Sequence, residues 1–263
     1  MKIDLDKYYT DDAVAAYQVK KTFEVLGEDW ERIIEPAAGA GAYLAHLPPT
    51  TLAYDIAPEA PNIIKQDYLT VELPFIERSL VIGNPPFGRG NNLSKQFIAA
   101  SLRHSAYISF IQPISQLDNC RSKDTELIYS EDLGEMLYSG RKVHCCLNIY
   151  HLCKGKKNEN YDLEGITYRR LNATTTPPAV YNADWDYRIR DWGVIYLIED
   201  DSRWLGEIGI KVDAAKPQLK EWLGNLLRQT DLNSIAVYTT TPMLTEWRLK
   251  RYIKEKYMEE HKL

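Results

Sequence analysis

The stretch Leu80-Val81-Ile82-Gly83-Asn84-Pro85-Pro86-Phe87-Gly88 runs from a short apolar segment into two consecutive prolines. A strand that reaches two prolines ends there, because proline has no backbone N–H to donate to a sheet. The proline after Asn84 also keeps that residue out of helical backbone space. One amide side chain, two rigid carbonyls and one aromatic ring are therefore held at a strand end. This combination predicts a site that binds a planar amine.

Two acceptors in this stretch suit an amine on a heteroaromatic ring. Such an amine is a poor nucleophile, because its lone pair is delocalised into the ring. The Asn84 side-chain oxygen and the Pro85 carbonyl can accept its two N–H bonds and draw the nitrogen towards tetrahedral geometry. Phe87 offers a face on which a flipped base can stack. The alternative interpretation is a proline-rich turn with a buried phenylalanine.

The pattern of residues 11–112 alternates helices with short strands. Helices are predicted at 11–26 and 92–105, strands at 32–35, 51–56, 62–69, 80–83 and 106–112, and a tight turn at 36–44 opens a further helix. Alternation at this spacing is typical of an α/β fold, a doubly wound sheet with parallel strands. Ligands of such sheets bind beyond the carboxyl ends of the strands.

Acidic residues end three successive predicted strands, namely Glu35, Asp55 and Asp67. Glu35 stands just before the turn that contains Gly39 and Gly41, where a carboxylate repels a pyrophosphate and suits a cationic ligand. S-adenosylmethionine, with its sulfonium and α-ammonium groups, fits that description. Asp55 is then placed to accept from ribose hydroxyls, and Asp67 from the adenine amine of the cofactor.

The tetrapeptide Asn84-Pro85-Pro86-Phe87 resembles the signature of methyltransferases that act on the exocyclic amine of adenine or, less often, cytosine. In motif order, over about residues 1–155, the sequence is similar to adenine methyltransferases with C-terminal target recognition. The resemblance implies a class I methyltransferase (Rossmann-like) fold and places Thr10 near the methionine end of the cofactor. The predicted cofactor-binding residues are Thr10, Glu35, Pro36, Ala37, Gly39, Gly41, Asp55, Asp67, Tyr68 and Asn84.

The composition is that of an ordinary globular protein, with 44% apolar and 26% charged residues among 263. No apolar run is long enough to cross a membrane, and the first residues do not resemble a signal peptide, so a cytoplasmic location is expected. Four cysteines are too few for a disulfide framework. The histidines and cysteines of 144–153 are interpreted as core residues of a strand rather than as a zinc site, and no metal is predicted.

The net charge of −5 does not by itself favour a nucleic-acid partner. Residues 1–100 hold 9 Lys and Arg against 14 Asp and Glu, whereas 141–157 holds basic residues and no acidic one. Residues 126–130 and 143–153 are predicted as the strand pair that ends the first domain. Residues 154–161 are predicted as a polar linker between a catalytic domain, 1–155, and a smaller α+β lobe, 156–263, with helices predicted at about 216–229 and 242–260. Candidate nucleic-acid contacts in that lobe are Arg169, Arg170, Arg188 and Arg190, which interleave with aromatic residues. The alternative is that these arginines only support the packing of the lobe.

These observations and the resemblance predict an S-adenosylmethionine-dependent methyltransferase of the 6-amino group of adenine in DNA. The predicted catalytic residues are Asn84, Pro85 and Phe87, and transfer is expected to be direct and in line. Many DNA enzymes have Tyr or Trp at the position of Phe87, and some RNA methyltransferases have Phe. RNA adenine methylation, protein glutamine methylation and a silent cofactor-binding protein are the alternatives. The sequence gives no oligomeric state, target sequence or restriction partner.

Overall fold

The computed structural model describes residues 10–88, 91–119, 124–138, 141–153, 161–238 and 241–262. The chain divides into two compact units, Met1–Glu159 and Asn160–Leu263. Several predicted features lie outside the described residues, namely the segment before Thr10, Cys120, and the linker 154–160 with its basic residues Lys154, Lys156 and Lys157.

The first unit is built on one seven-stranded sheet. Its strands are β1 (Arg32–Glu35), β2 (Leu52–Asp55), β3 (Ile64–Lys65), β4 (Ile76–Gly83), β5 (Ser105–Pro113), β6 (Thr125–Tyr138) and β7 (Arg141–Leu152). Their spatial order is β3-β2-β1-β4-β5-β7-β6. Strands β1 to β5 are parallel, and β7 is antiparallel to β5 and β6. The predicted doubly wound α/β fold is confirmed, and its chain order reverses between β1 and β4, where such sheets bind ligands.

Two helices cover opposite faces of this sheet. Helix α1 (Asp12–Leu26) packs on the face that presents Leu80 and Ile82, and α2 (Asn92–Ser101) packs on the face that presents Val81. This division follows from the strand period of two, which sends successive side chains of β4 to opposite faces. Both faces are covered, so β4 is buried on both sides from Ser79 to Gly83.

Two predicted elements of the first unit are shorter than expected. The helix predicted after Gly41 is a single 3-10 turn, Ala42–Ala45, because Pro48 and Pro49 follow and cannot donate helical hydrogen bonds. The strand predicted at 62–69 was wrong in extent, since only Ile64 and Lys65 pair with β2.

The second unit is an α+β lobe, as predicted, and its four-stranded sheet is antiparallel. Its elements are β8 (Ile166–Leu171), α3 (Pro178–Tyr181), β9 (Tyr187–Arg190), β10 (Tyr196–Ile198), β11 (Glu207–Val212), α4 (Pro217–Gln229), β12 (Val237–Tyr238), β13 (Pro242–Met243) and α5 (Glu246–His261). The sheet order is β10-β9-β11-β8. The helix predicted at 242–260 begins only at Glu246, because Pro242 and Met243 pair with β12. Within the described ranges of both units, no helix is long and apolar enough to cross a membrane.

A buried amide joins α1 to β4 and β5 of the first unit. Gln18 is fully buried, and its Nε2 donates to the carbonyls of Gly83 at 3.2 Å and Ser109 at 2.9 Å. Its Oε1 accepts from the Tyr43 hydroxyl at 2.5 Å. A single side chain therefore holds together the end of β4, the middle of β5 and the turn that follows Gly41.

Replacing this amide tests its structural role. Gln18→Leu keeps a similar volume but removes the hydrogen bonds to two buried carbonyls and a buried hydroxyl, so the free energy of unfolding should fall by about 1–3 kcal/mol. Urea denaturation measures the change. Gln229→Leu, at an exposed position of α4, is the control and should have little effect. Equal stability of both variants would contradict the assigned role.

Candidate active site

Glu35 ends β1 with a carboxylate that is completely buried. Its Oε1 accepts from the Ala37 N–H at 3.2 Å, whereas Oε2 has no hydrogen-bond partner among the described residues. Burial raises the pKa of this carboxyl well above its ordinary value, and the charge of Asp55 raises it further. A buried acceptor without a donor is costly, so this arrangement is suited to receive a donor, and a cation above all.

Gly83 makes room for this carboxylate. A Cβ atom at Gly83 would lie 2.6 Å from Glu35 Oε1 and 3.3 Å from Pro36 Cδ. Any side chain there would displace the carboxylate, so the glycine before Asn84 is required by close approach. The first and fourth strands of the chain thus meet at the predicted ligand edge without an intervening side chain.

Asp55 fixes the turn that follows β1. Its Oδ2 accepts from the Gly39 N–H at 2.8 Å, and its Oδ1 accepts from the Ala57 N–H at 2.7 Å. Gly39 and Gly41 have φ values of 50° and 86°, which glycine adopts without strain. Each carboxylate oxygen has two lone pairs, so the same group can also accept from ligand hydroxyls.

Asp67 and Tyr68 lie side by side but face different surroundings. Asp67 is exposed and caps a 3-10 helix, accepting from the Leu69 N–H at 2.9 Å. Tyr68 is 1% exposed, stacks on Phe97 and donates to Ser101 Oγ at 3.1 Å. The Tyr68 side chain thus packs in the core beneath Asp67, which leaves it no surface towards a ligand.

Asn84 follows β4 and is buried, with 8% exposure. Its Nδ2 donates to Thr10 Oγ1 at 3.1 Å. This hydrogen bond fixes the amide with its nitrogen towards Thr10 and its oxygen, Oδ1, on the other side. Thr10 immediately precedes Asp11, the N-cap of α1, which Gln18 ties to Gly83. The sequence indicated Thr10 through the resemblance alone, whereas the structure gives it a contact with the predicted catalytic amide.

Phe87 is held on both its ring and its backbone. The ring packs against a cluster formed by Ile111 and Cys145, which also includes Val14, Leu133, Met136 and Val143. Its carbonyl accepts from the N–H groups of Leu93 at 3.1 Å and Ser94 at 3.3 Å, and so caps α2. Because both ends are fixed, the loop from Asn84 to Phe87 is a rigid platform.

A hairpin extends past the sheet next to this platform. Pairing of β5 with β7 stops at Pro113 and Cys145, but β6 and β7 stay paired up to Tyr138 and Arg141. The extension therefore lies beyond the carboxyl end of β5, where Met136 and Val143 contact the Phe87 cluster. Sequence patterns missed it, since strands were predicted only at 126–130 and 143–153.

The four candidate arginines of the second unit have different surroundings. Arg188 is 17% exposed and donates to Glu207 at 3.3 Å and to the Asp200 carbonyl at 2.7 Å, so its guanidinium is occupied within the lobe. The guanidinium of Arg190 lies 4.0 Å from the ring centre of Trp204. Arg170 contacts the buried Asp191 at 2.6 Å, and Arg169 is exposed on β8 opposite Gly209 of β11.

No protein-family model matches the chain, and no curated protein matches it. Solved structures with a similar fold include a candidate RNA methyltransferase from Pyrococcus horikoshii, with 11% identity, 58% of this chain and 89% of that chain covered, and a TM-score of 0.47. A 23S rRNA methyltransferase aligns with 16% identity, coverages of 56% and 70%, and a TM-score of 0.43. A type I restriction-modification methyltransferase subunit from Streptococcus thermophilus aligns with 14% identity, a TM-score of 0.38, and coverages of 61% of this chain and 46% of that one.

The raised pKa of Glu35 predicts how stability depends on pH. The folded protein holds this proton more tightly than the unfolded chain, so stability falls as pH rises from the ordinary carboxyl range through the raised pKa. Glu35→Gln is neutral throughout, so it should be more stable than the wild type at about pH 8, with the difference vanishing towards about pH 4.

Urea denaturation of the ligand-free protein at several pH values measures this difference. Glu77→Gln, at a carboxylate that is 72% exposed, is the matched control and should keep the wild-type dependence on pH. A Glu35→Gln variant less stable than the wild type at high pH would show that the buried carboxylate is stabilising.

Proposed function

We propose that this chain is an S-adenosylmethionine-dependent methyltransferase that methylates the 6-amino group of adenine in DNA. The observation that carries the proposal is the pairing of two features at the reversal point of the sheet. β1 ends in a buried carboxylate with an oxygen lacking a partner, and β4 ends in an oriented amide followed by two prolines. The first feature suits a cation and the second suits a planar amine.

The residues at β1 and β2 fit the cofactor. Glu35 Oε2 accepts from the α-ammonium, and its charge favours the sulfonium. Asp55 accepts from the ribose hydroxyls while it holds the Gly39 turn. Asp67 accepts from the adenine amine, and Tyr68 supports it from the core. S-adenosylmethionine, when bound, supplies an electrophilic methyl group.

The residues after β4 bind the substrate. Asn84 Oδ1 and the Pro85 carbonyl accept the two N–H bonds of the target amine, which directs its lone pair towards the donor. Thr10 keeps the amide in the orientation that this requires. Phe87, fixed by its cluster, stacks on the flipped base. The amine sheds its proton after transfer, so no general base is needed.

The substrate is tested by following the methyl group. Tritium-labelled cofactor is incubated with DNA, RNA and protein in parallel, and the modified product is isolated. Label in 6-methyladenine from DNA supports the proposal. Label found only in RNA or only in protein glutamine would show that this molecule, and not DNA, is the substrate. Cofactor binding without methyl transfer would indicate a silent binding protein.

Replacement of Asn84 tests whether this residue acts on the substrate rather than on the cofactor. Asn84→Ala should lower the transfer rate by at least about 100-fold, as is usual when one preorganised polar group is lost at the reacting atom. Calorimetry should show cofactor affinity within a few fold of the wild type. Thr10→Val, which removes the orienting hydroxyl, should lower the rate by a smaller factor. An Asn84→Ala protein that no longer binds cofactor would overturn the assignment.

Asp55 is tested through the dissociation constant of the cofactor. Asp55→Ala should weaken binding by about 1.5–3 kcal/mol, the range for hydrogen bonds to a charged group. A thermal melt checks the folded state, because Asp55 also accepts from two backbone N–H groups. Asp29→Ala removes a carboxylate that is 85% exposed and is the control. Unchanged affinity in Asp55→Ala would exclude a role in the ribose site.

A further inference from the structure

Three large apolar side chains are exposed in the segments that follow β9 and precede β11 in the second unit. Trp192 is 53% exposed, Val194 65% and Leu205 61%. A Cβ atom at Gly206 would lie 3.6 Å from Trp192 Cβ, so the backbone next to Leu205 approaches Trp192. We call these three residues the Trp192 surface. Exposed apolar groups mark interaction sites when they lie close together.

The backbone beneath the Trp192 surface is firmly held. The Asp191 N–H donates to the Gly206 carbonyl at 3.1 Å, and the Gly193 N–H donates to the Pro242 carbonyl at 2.9 Å. Trp192 also forms a bridge to Met243. A surface that is ordered before binding loses little conformational entropy on contact, so it is suited to stacking a flat ligand.

Two guanidinium groups lie close to Asp191 and Gly193, the residues on either side of Trp192 in the chain. Arg170 is 55% exposed and is positioned by Asp191, which is completely buried and precedes Trp192. Arg190 Nη2 lies 3.1 Å from the position of a Cβ at Gly193, and its guanidinium stacks over Trp204. An exposed indole with two positioned cations on neighbouring residues complements a base and its adjoining phosphates.

We propose that the Trp192 surface binds an unpaired stretch of nucleic acid, with one base stacked on the indole and the adjoining phosphates on Arg170 and Arg190. This inference rests on the proposed function for the class of substrate and adds where the strand is held. A protein partner would use the apolar groups but would not need the two guanidinium groups. Arg188 is outside this contact, because it is only 17% exposed and Glu207 and backbone carbonyls occupy its guanidinium. Arg170 also pairs with a buried carboxylate, but its side chain stays 55% exposed.

Binding of fluorescent single-stranded DNA to the full chain tests the proposal by anisotropy. Trp192→Ala should weaken binding by about 5- to 100-fold, the effect of losing one stacked base, and Trp192→Phe should restore most of it. Trp192→Ala should leave the salt dependence unchanged. Arg170→Gln should lower the slope of log affinity against log salt by about 0.7, the value for one phosphate of a single strand.

Arg228→Gln is the matched control, because Arg228 is also 55% exposed and pairs with an exposed Glu199 in the same lobe. It should keep the wild-type affinity and salt slope, and thermal melts confirm that each variant is folded. Wild-type binding by folded Trp192→Ala would overturn the inference, and so would loss of self-association in that variant without loss of DNA binding.

Methyl transfer to DNA is measured separately on the same proteins. If the wild type transfers no methyl group but still binds single strands through Trp192, the inference holds and the proposed function fails. If transfer occurs and Trp192→Ala binds DNA as the wild type does, the proposed function holds and the inference fails.

Discussion

The arrangement of α1 and β4 in the first unit depends on the buried amide of Gln18. Its donor and acceptor atoms meet three partners in different parts of the chain, the carbonyls of Gly83 and Ser109 and the hydroxyl of Tyr43. The amide forms these three hydrogen bonds in only one position, because its nitrogen donates to two of the partners and its oxygen accepts from the third. In buried surroundings each of these bonds is strong and costly to lose. The start of α1 is therefore fixed over the end of β4, and Thr10 is brought to Asn84. One side chain therefore anchors α1, β4 and the turn after Gly41, which carry residues of the proposed site.

Glu35 is as deeply buried as Gln18, but its polar atoms are not all hydrogen-bonded. Gln18 is satisfied and stabilises the fold, whereas Glu35 keeps one carboxylate oxygen without a partner among the described residues. Such groups are rare unless a ligand completes them, and perturbed carboxyls cluster at functional sites. Gly83 allows the strain-free approach of this carboxylate to β4. An empty site of this kind lowers the stability of the fold, because a buried acceptor has no hydrogen bond. A cation that donates to this oxygen removes that cost when it binds.

The sequence identified the parts of the first unit that local patterns control. Strands β1 and β2 were predicted within one residue, since each is a short apolar run ended by an acid and a turn. The hairpin extension of β6 and β7 was missed because it leaves the core and carries charged residues such as Glu135 and Lys142. Gln18 gave no signal either, since a glutamine in an amphipathic helix is expected to face solvent. Its partners at Gly83 and Ser109 are 65 and 91 residues away, and only the tertiary fold brings them together.

The second unit shows why arginine content alone does not define a nucleic-acid surface. Arg188 and Arg190 are two residues apart on β9, yet Arg188 is neutralised by the buried Glu207 while the guanidinium of Arg190 lies over the ring of Trp204. With a net charge of −5, the chain has no overall positive field to draw in a polyanion. If the lobe binds a single strand as proposed, affinity would come from short-range contacts, and stacking on an aromatic ring is the contact that salt weakens least. The exposed indole of Trp192 offers such a ring.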